Sequence, residues 1–262
     1  MEKSKKTLLI SPVHTPEFLK KYGLGVEAHI GRHDILPTWE QYIPFVYGVH
    51  LPYSKRNLAA FDDDLRASSI ESVKAAIDIG CSYPVKEMVM HTMGIESLDG
   101  VLLGNYERMI EGIRELADYA ATKGITLCIE NQAQHIPHRV IYGVTAEEWY
   151  KIQKDVNREN VMLTLDTSHA ACAAALLVGP EARFEYMYEF LKHPERIGRV
   201  HWSDSRLSKA EAYYRDMHLV PGEGDLPIDF HRRIKNLDAI KTLEQKRPEE
   251  DAIRGLEFIE SL

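Results

Sequence analysis

Short apolar runs alternate along this chain with longer segments whose apolar residues recur every three or four positions. Eight runs read as strands, at 7–11, 25–30, 45–50, 86–91, 125–131, 161–167, 197–203 and 240–245. Between them, 68–79 places Ile70, Val73, Ala76 and Ile77 on one helical face. The segment 106–122 does the same with Met109, Ile110, Ile113, Leu116, Ala117 and Ala120, and Gly124 stands where a C-terminal cap is expected. Thr145-Ala-Glu-Glu148 has a capping-box pattern and opens a helix over 145–156. Segments 184–191 and 252–259 predict further helices, while those after strands one and two look short. Strand and helix in alternation predict an α/β fold, a parallel sheet closed into a single (β/α)8 barrel over residues 1–262. No linker-like or low-complexity stretch divides it, so one domain is expected.

In such a barrel, residues that share parity with a strand's terminal polar group point inward, and the others pack on helices. Glu130 shares parity with Thr126 and Cys128, while Leu127 and Ile129 face out. Asp166 goes with Thr164 and Met162, opposite Val161, Leu163 and Leu165, and Glu244 goes with Thr242 and Ile240. The outward set is mostly aliphatic and the inward set mixed, as a polar site above a packed barrel requires.

The strand ends carry the candidate chemistry. Strand three ends at His50, strand four at His91, strand five at Glu130, and strand six at Asp166 with His169 three residues on. Strand seven ends at His201, its loop carries Asp216 and His218, and strand eight ends at Glu244. Taken singly, each has an ordinary explanation: Asp166 before an alanine-rich run is a good helix N-cap, and a lone histidine is usually a satisfied core residue. Nine oxygen- and nitrogen-bearing side chains at one level of one barrel rim are the ligand types a divalent transition metal takes.

Composition narrows the setting. With 44% hydrophobic and 27% charged residues, the 262-residue chain has no apolar run long enough for a membrane span. The opening apolar run is too short for a signal peptide, and the three cysteines are far apart, so a cytoplasmic location is expected with no disulfide framework. A formal charge of −8 weighs mildly against a nucleic-acid partner, although bound dications offset local negative charge. Self-association is left open, so a homo-oligomer stays among the partners considered.

The phrases His50-Leu-Pro-Tyr53, His91-Thr-Met-Gly94, Ile129-Glu-Asn131, Leu165-Asp-Thr-Ser-His-Ala170, His201-Trp-Ser-Asp-Ser205, and Asp216-Met-His218 followed by Pro221-Gly-Glu-Gly-Asp225 resemble the xylose isomerase-like barrels. That superfamily comprises sugar (phosphate) isomerases and epimerases together with the endonuclease IV family. The resemblance implies a single-metal set of Glu130, Asp166, His201 and Glu244 for an epimerase, with the two glutamates exchanging the substrate's proton. The endonuclease IV pattern adds His50, His91, His169, Asp216 and His218. It then implies three zinc ions: one on His50, His91 and Glu130, a second on Glu130, Asp166, His201 and Glu244, and a third on His169, Asp216 and His218. The cofactor implied is therefore one to three divalent ions, zinc first, with manganese, cobalt or magnesium as alternatives.

Two mechanisms follow. In one, the ion polarises a ketose and Glu130 and Glu244 act as acid and base across an enediolate, on a sugar or sugar phosphate. In the other, a zinc cluster hydrolyses a phosphodiester at an abasic DNA site, which needs a rim that grips phosphates. Ser54-Lys55-Arg56-Asn57, Arg206 and Lys209 suit phosphates of either kind; Asp62-Asp63-Asp64 and an opening without a glycine-histidine pair depart from the endonuclease pattern. The sugar isomerase or epimerase is the favoured reading. Asn131, Trp202 and Arg206, beside the ligand candidates, are expected to line the substrate pocket, with Asn131 alternatively supporting the ligands from behind. A non-catalytic metal-binding or scaffold protein is the third reading, disfavoured because buried carboxylates facing one another without a metal would cost too much.

Overall fold

The computed structural model describes residues 8–10, 14–134, 136, 138–208, 216–245 and 249–262. In chain order its elements are β1 (Leu8–Ile10), α1 (Pro16–Tyr22), β2 (Gly25–His29), β3 (Val46–His50), α2 (Asp63–Gly80), β4 (Glu87–His91), β5 (Ile95–Leu98), β6 (Val101–Leu102) and α3 (Tyr106–Thr122). There follow β7 (Thr126–Glu130), β8 (Arg139–Ile141), α4 (Ala146–Val156), β9 (Val161–Asp166), α5 (Thr167–Ala174), α6 (Pro180–Met187), β10 (Ile197–Trp202), α7 (Ile228–Asn236), β11 (Ile240–Leu243) and α8 (Glu249–Ser261).

Eight strands close a parallel barrel in the order β1, β2, β3, β4, β7, β9, β10, β11 and back to β1. All eight correspond to the strands expected from the apolar runs, although positions 7 and 11 of the first lie outside the described residues. The parity rule holds for the wall. Leu127, Ile129, Val161, Leu163 and Leu165 are buried in the apolar layer with Ile113, Leu116 and Trp149 of the helices. Burying each such side chain contributes about 1.5–3 kcal/mol.

Local chemistry sets the helix ends. Asn105 accepts the Arg108 N–H at 2.9 Å to start α3, and Gly124 just beyond it takes φ 68°, the left-handed conformation open to glycine. Thr145 caps α4 through the Glu148 N–H at 3.2 Å, but the Glu148 carboxylate accepts from Gly143 and Val144 N–H rather than closing back on Thr145. The helix expected at 184–191 begins earlier: Pro180 provides a preset first-turn φ, and residues 188–191 tighten into a 3₁₀ turn. A separate antiparallel sheet of β6, β5 and β8 stands over the rim, built from the loops after β4 and β7. Among the described residues no helix is long and apolar enough to cross a membrane.

Candidate metal centre

Parallel register brings the rim residues level: His91 lies opposite Glu130 across β4 and β7, and Asp166 opposite His201 across β9 and β10. Three groups result, each offering ligand atoms that lie within 4.8 Å of one another. They are His50, His91 and Glu130; Glu130, Asp166, His201 and Glu244; and Asp166, His169 and His218. Glu130 is shared by the first two and Asp166 by the last two, so the groups run together. Asp216 joins through His218 Nε2 at 2.7 Å and His169 Nε2 at 3.6 Å. The third group therefore differs from the one the resemblance implies, with Asp166 in the place given to Asp216.

The histidines are aimed from behind. His50 Nδ1 bonds the Leu51 carbonyl at 2.8 Å, His169 Nδ1 the Asn131 carbonyl at 2.7 Å, and His201 Nε2 the Glu27 carboxylate at 2.8 Å. Each contact fixes the ring and leaves the opposite nitrogen facing the carboxylates. Asp166 serves two purposes: Oδ1 accepts the His169 N–H at 2.7 Å and caps α5, while Oδ2 is buried with no hydrogen-bond partner. Both readings of Asp166, N-cap and metal-competent carboxylate, are thus compatible in one side chain. Ser168 Oγ accepts the Met217 and His218 N–H groups at 3.0 and 3.1 Å, which ties the Asp216–His218 segment to the rim. The Pro221–Asp225 turn is held beside it by Asp204, whose carboxylate accepts from Gly222 and Leu226 N–H.

The donor set fits a divalent transition metal. Asp166 Oδ2, Asp216 Oδ1, His218 Nδ1 and Glu244 Oε2 are all buried without a hydrogen-bond partner among the described residues. Such atoms are costly unless something else satisfies them, and mixed carboxylate and imidazole donors suit a borderline-soft dication. Electrostatics agree. Burial raises the Asp166 carboxyl to about 7, against the pull of His169 and His218. Burial would lower His218, but Glu244 and Asp166 raise it to about 9. Burial would raise Glu130 and Glu244 too, but His201 with His91 at one and His201 with His218 at the other hold both well below their usual range. Protons on Asp166 and the imidazoles thus supply the positive charge that a dication would otherwise supply.

Three expected pocket residues are corrected. Trp202 is buried behind the barrel wall, its indole N–H donating to His231 Nδ1 at 3.0 Å, because its even position in β10 opposes that of the inward-facing His201. Asn131 is fully buried and spends its amide on the Asp166 backbone, at 2.7 and 3.0 Å, so it lines no cavity and takes the alternative place expected of it, supporting Asp166 and His169 from behind. Arg206 is exposed, reaches the Glu223 carbonyl at 3.4 Å, and lines no part of the cavity beside the cluster. Lys209 lies outside the described residues.

Glu27 was missed. It sits mid-strand on β2, 4% exposed, and accepts from Arg199, His201 Nε2 and Thr242 inside the barrel. An acid inside an apolar run was the available signal, but it lies mid-strand, below the strand ends that carry the other candidates. Removing Glu27 alone strands the buried Arg199 charge, at a cost of about 3–5 kcal/mol. The Glu27→Gln/Arg199→Met pair removes both charges and isolates the contact to His201. It should fold and bind zinc about 10–100-fold more weakly in a chelator-competition titration; unchanged affinity would leave Glu27 a packing residue. Tyr53, also missed, stacks on His91 with ring centroids 3.9 Å apart.

A closed parallel barrel with its polar cluster at the C-terminal mouth defines a (β/α)8 protein whose site lies where that fold carries its chemistry. The chain belongs to the xylose isomerase-like TIM barrel family, which matches residues 40–262. A D-psicose 3-epimerase of Agrobacterium fabrum is 42% identical over 178 residues, 62% of this chain and 59% of that protein. An inosose dehydratase of Yersinia enterocolitica is 32% identical over 174 residues, 61% and 53% of the two chains. The crystal structure of endonuclease IV from Thermus thermophilus superposes with a TM-score of 0.68 at 21% identity, covering 98% of this chain and 100% of that one.

Proposed function

We propose that the chain is a divalent-metal-dependent isomerase or epimerase that acts on a sugar or sugar phosphate by proton transfer through an enediolate. The observation that carries this reading is the joint placement of Glu130 and Glu244 in one group with Asp166 and His201. An ion held there would polarise the substrate's carbonyl and hydroxyl oxygens. Glu244, whose side chain keeps 24% exposure and whose Oε2 lacks a hydrogen bond, takes the substrate proton. Glu130, enclosed and approached by the imidazoles of His50, His91 and His201, stands as the opposing carboxyl group and, in its protonated form, returns a proton to the enediolate, the two glutamates exchanging the roles of base and acid in the reverse direction. The epimerase relative supports the same chemistry.

The second reading, a zinc-dependent endonuclease of abasic DNA, is favoured by a specific observation: the outer residues His50, His91, His169 and His218 extend the inner group into three. Elemental analysis of protein purified without chelator, beside assays on a ketose panel and on abasic duplex, separates the two. One ion per chain with ketose turnover supports the isomerase; three zinc ions with strand nicking supports the endonuclease.

A further inference from the structure

Adjoining the metal centre is a cavity of about 330 Å³ whose lining combines His91, His169 and Asp216 of the cluster with the cations Lys55, Arg56 and Arg139. Among the described residues Asp216 is the one carboxylate on its wall.

Among the described residues none of the three cations forms an ion pair, whereas Arg66, Arg108, Arg158 and Arg254 do. Arg56 is fixed by Ser72 Oγ at 2.7 Å and by the Ser54 carbonyl at 2.8 Å, which engages Nε and Nη1 and leaves Nη2 without a bond among the described residues. Arg139, on β8 of the sheet over the rim, has a buried Nε with no hydrogen-bond partner. A partly buried guanidinium with an unmet donor is costly unless an anion completes it. The backbone points the same way. Lys55 and Met93, both on the cavity wall, take φ 61° and 46°, a left-handed conformation that non-glycine residues adopt at a cost and that concentrates at ligand sites.

We propose that this cavity recognises a phosphoryl group on a small sugar, with Arg56, Arg139 and Lys55 as its anchors, and so makes the substrate a sugar phosphate. The assignment rests on the metallo-isomerase reading for the reaction and names the substrate's anchoring group. A guanidinium fork matches phosphate oxygens, and two of them with an ammonium fit a dianion. The cavity lies at the small end of the roughly 300–1,000 Å³ range of small-molecule sites. Its volume suits one such molecule and is too small to enclose a DNA duplex.

The test is calorimetric titration of the metal-loaded protein with inorganic phosphate, ribulose 5-phosphate and ribulose, with metal content and nicking of abasic duplex measured in parallel. Arg56→Met and Arg139→Met, made separately, should each weaken phosphate and ribulose 5-phosphate binding about tenfold or more, with metal content unchanged and Arg139→Lys recovering part of the loss. Equal binding of the phosphorylated and free sugars, or arginine variants that bind phosphate as the wild type does, would overturn the proposal, the anion then sitting on the metal alone. Nicking of abasic DNA that falls in the arginine variants would overturn the small-sugar source. If the wild-type protein carries no metal yet binds phosphate through these arginines, the isomerase reading fails and the phosphoryl site stands.

Discussion

Glu244→Gln is expected to lower turnover by about a thousandfold or more while the barrel stays folded. The substitution keeps the shape of a side chain at the end of β11 but removes two things together. It deletes a negative charge from the group formed with Glu130, Asp166 and His201, and it deletes the carboxylate to which we assign removal of the substrate proton. The fold should tolerate the change, since Glu244 Oε2 makes no hydrogen bond and the side chain is not fully enclosed. Circular dichroism should therefore match the wild type, and a steady-state assay on the accepted ketose should show the loss in kcat. Near-normal kcat would remove Glu244 from catalysis.

The second large effect concerns the metal and pH together. Stripping the ion should lower Tm by about 8–16 °C relative to protein held at a thousandfold excess of free metal over its Kd. The gap should widen as pH rises. His218 in the folded protein titrates at about 9, above its ordinary 6.5, and His169 and His201 are likewise raised well above that value by the carboxylates, against burial. Groups raised on folding contribute stability that is whole below the unfolded pKa and lost as pH climbs through the folded one. Metal-free protein should therefore lose stability between pH 6.5 and about 9. Metal-loaded protein should not follow it, because deprotonated Asp166 and imidazoles bind a cation more tightly. Calorimetric scans of both forms at pH 6.5, 7.5 and 8.5 check this; parallel falls in Tm would contradict it.

The barrel was legible because each strand wall is written in adjacent aliphatic residues. Runs such as Val161–Asp166 have one buried outward face and one terminal acid, and parity alone orients both. The clustered rim was legible for the same reason: closure brings the ends of successive strands to one level, whatever their separation in the chain. What failed were side chains next to a ligand in sequence but on the opposite face. Trp202 follows His201 and by parity must point away from it; the rule applied to β7 and β9 was not applied to β10. Asn131 was placed by its neighbour Glu130, although its amide is consumed by the Asp166 backbone. The sheet of β5, β6 and β8 was not foreseen, since strands of two to four residues with partly exposed side chains leave no apolar period to read. Arg139 came with it, whereas Lys55 and Arg56 of the same cavity wall were legible in the sequence as phosphate candidates.

The most direct test is a metal titration of the wild-type protein beside Asp166→Asn. Asp166 is shared by two of the three ligand groups, and its Oδ2 has no hydrogen-bond partner among the described residues. The wild type should take up one to three ions per chain, as the three groups allow, with protons released on binding. Asp166→Asn, whose amide still offers an oxygen to cap α5, should bind about 10–100-fold more weakly or not at all. A wild-type protein that takes up no divalent ion, or one whose uptake is unchanged by Asp166→Asn, would contradict the account.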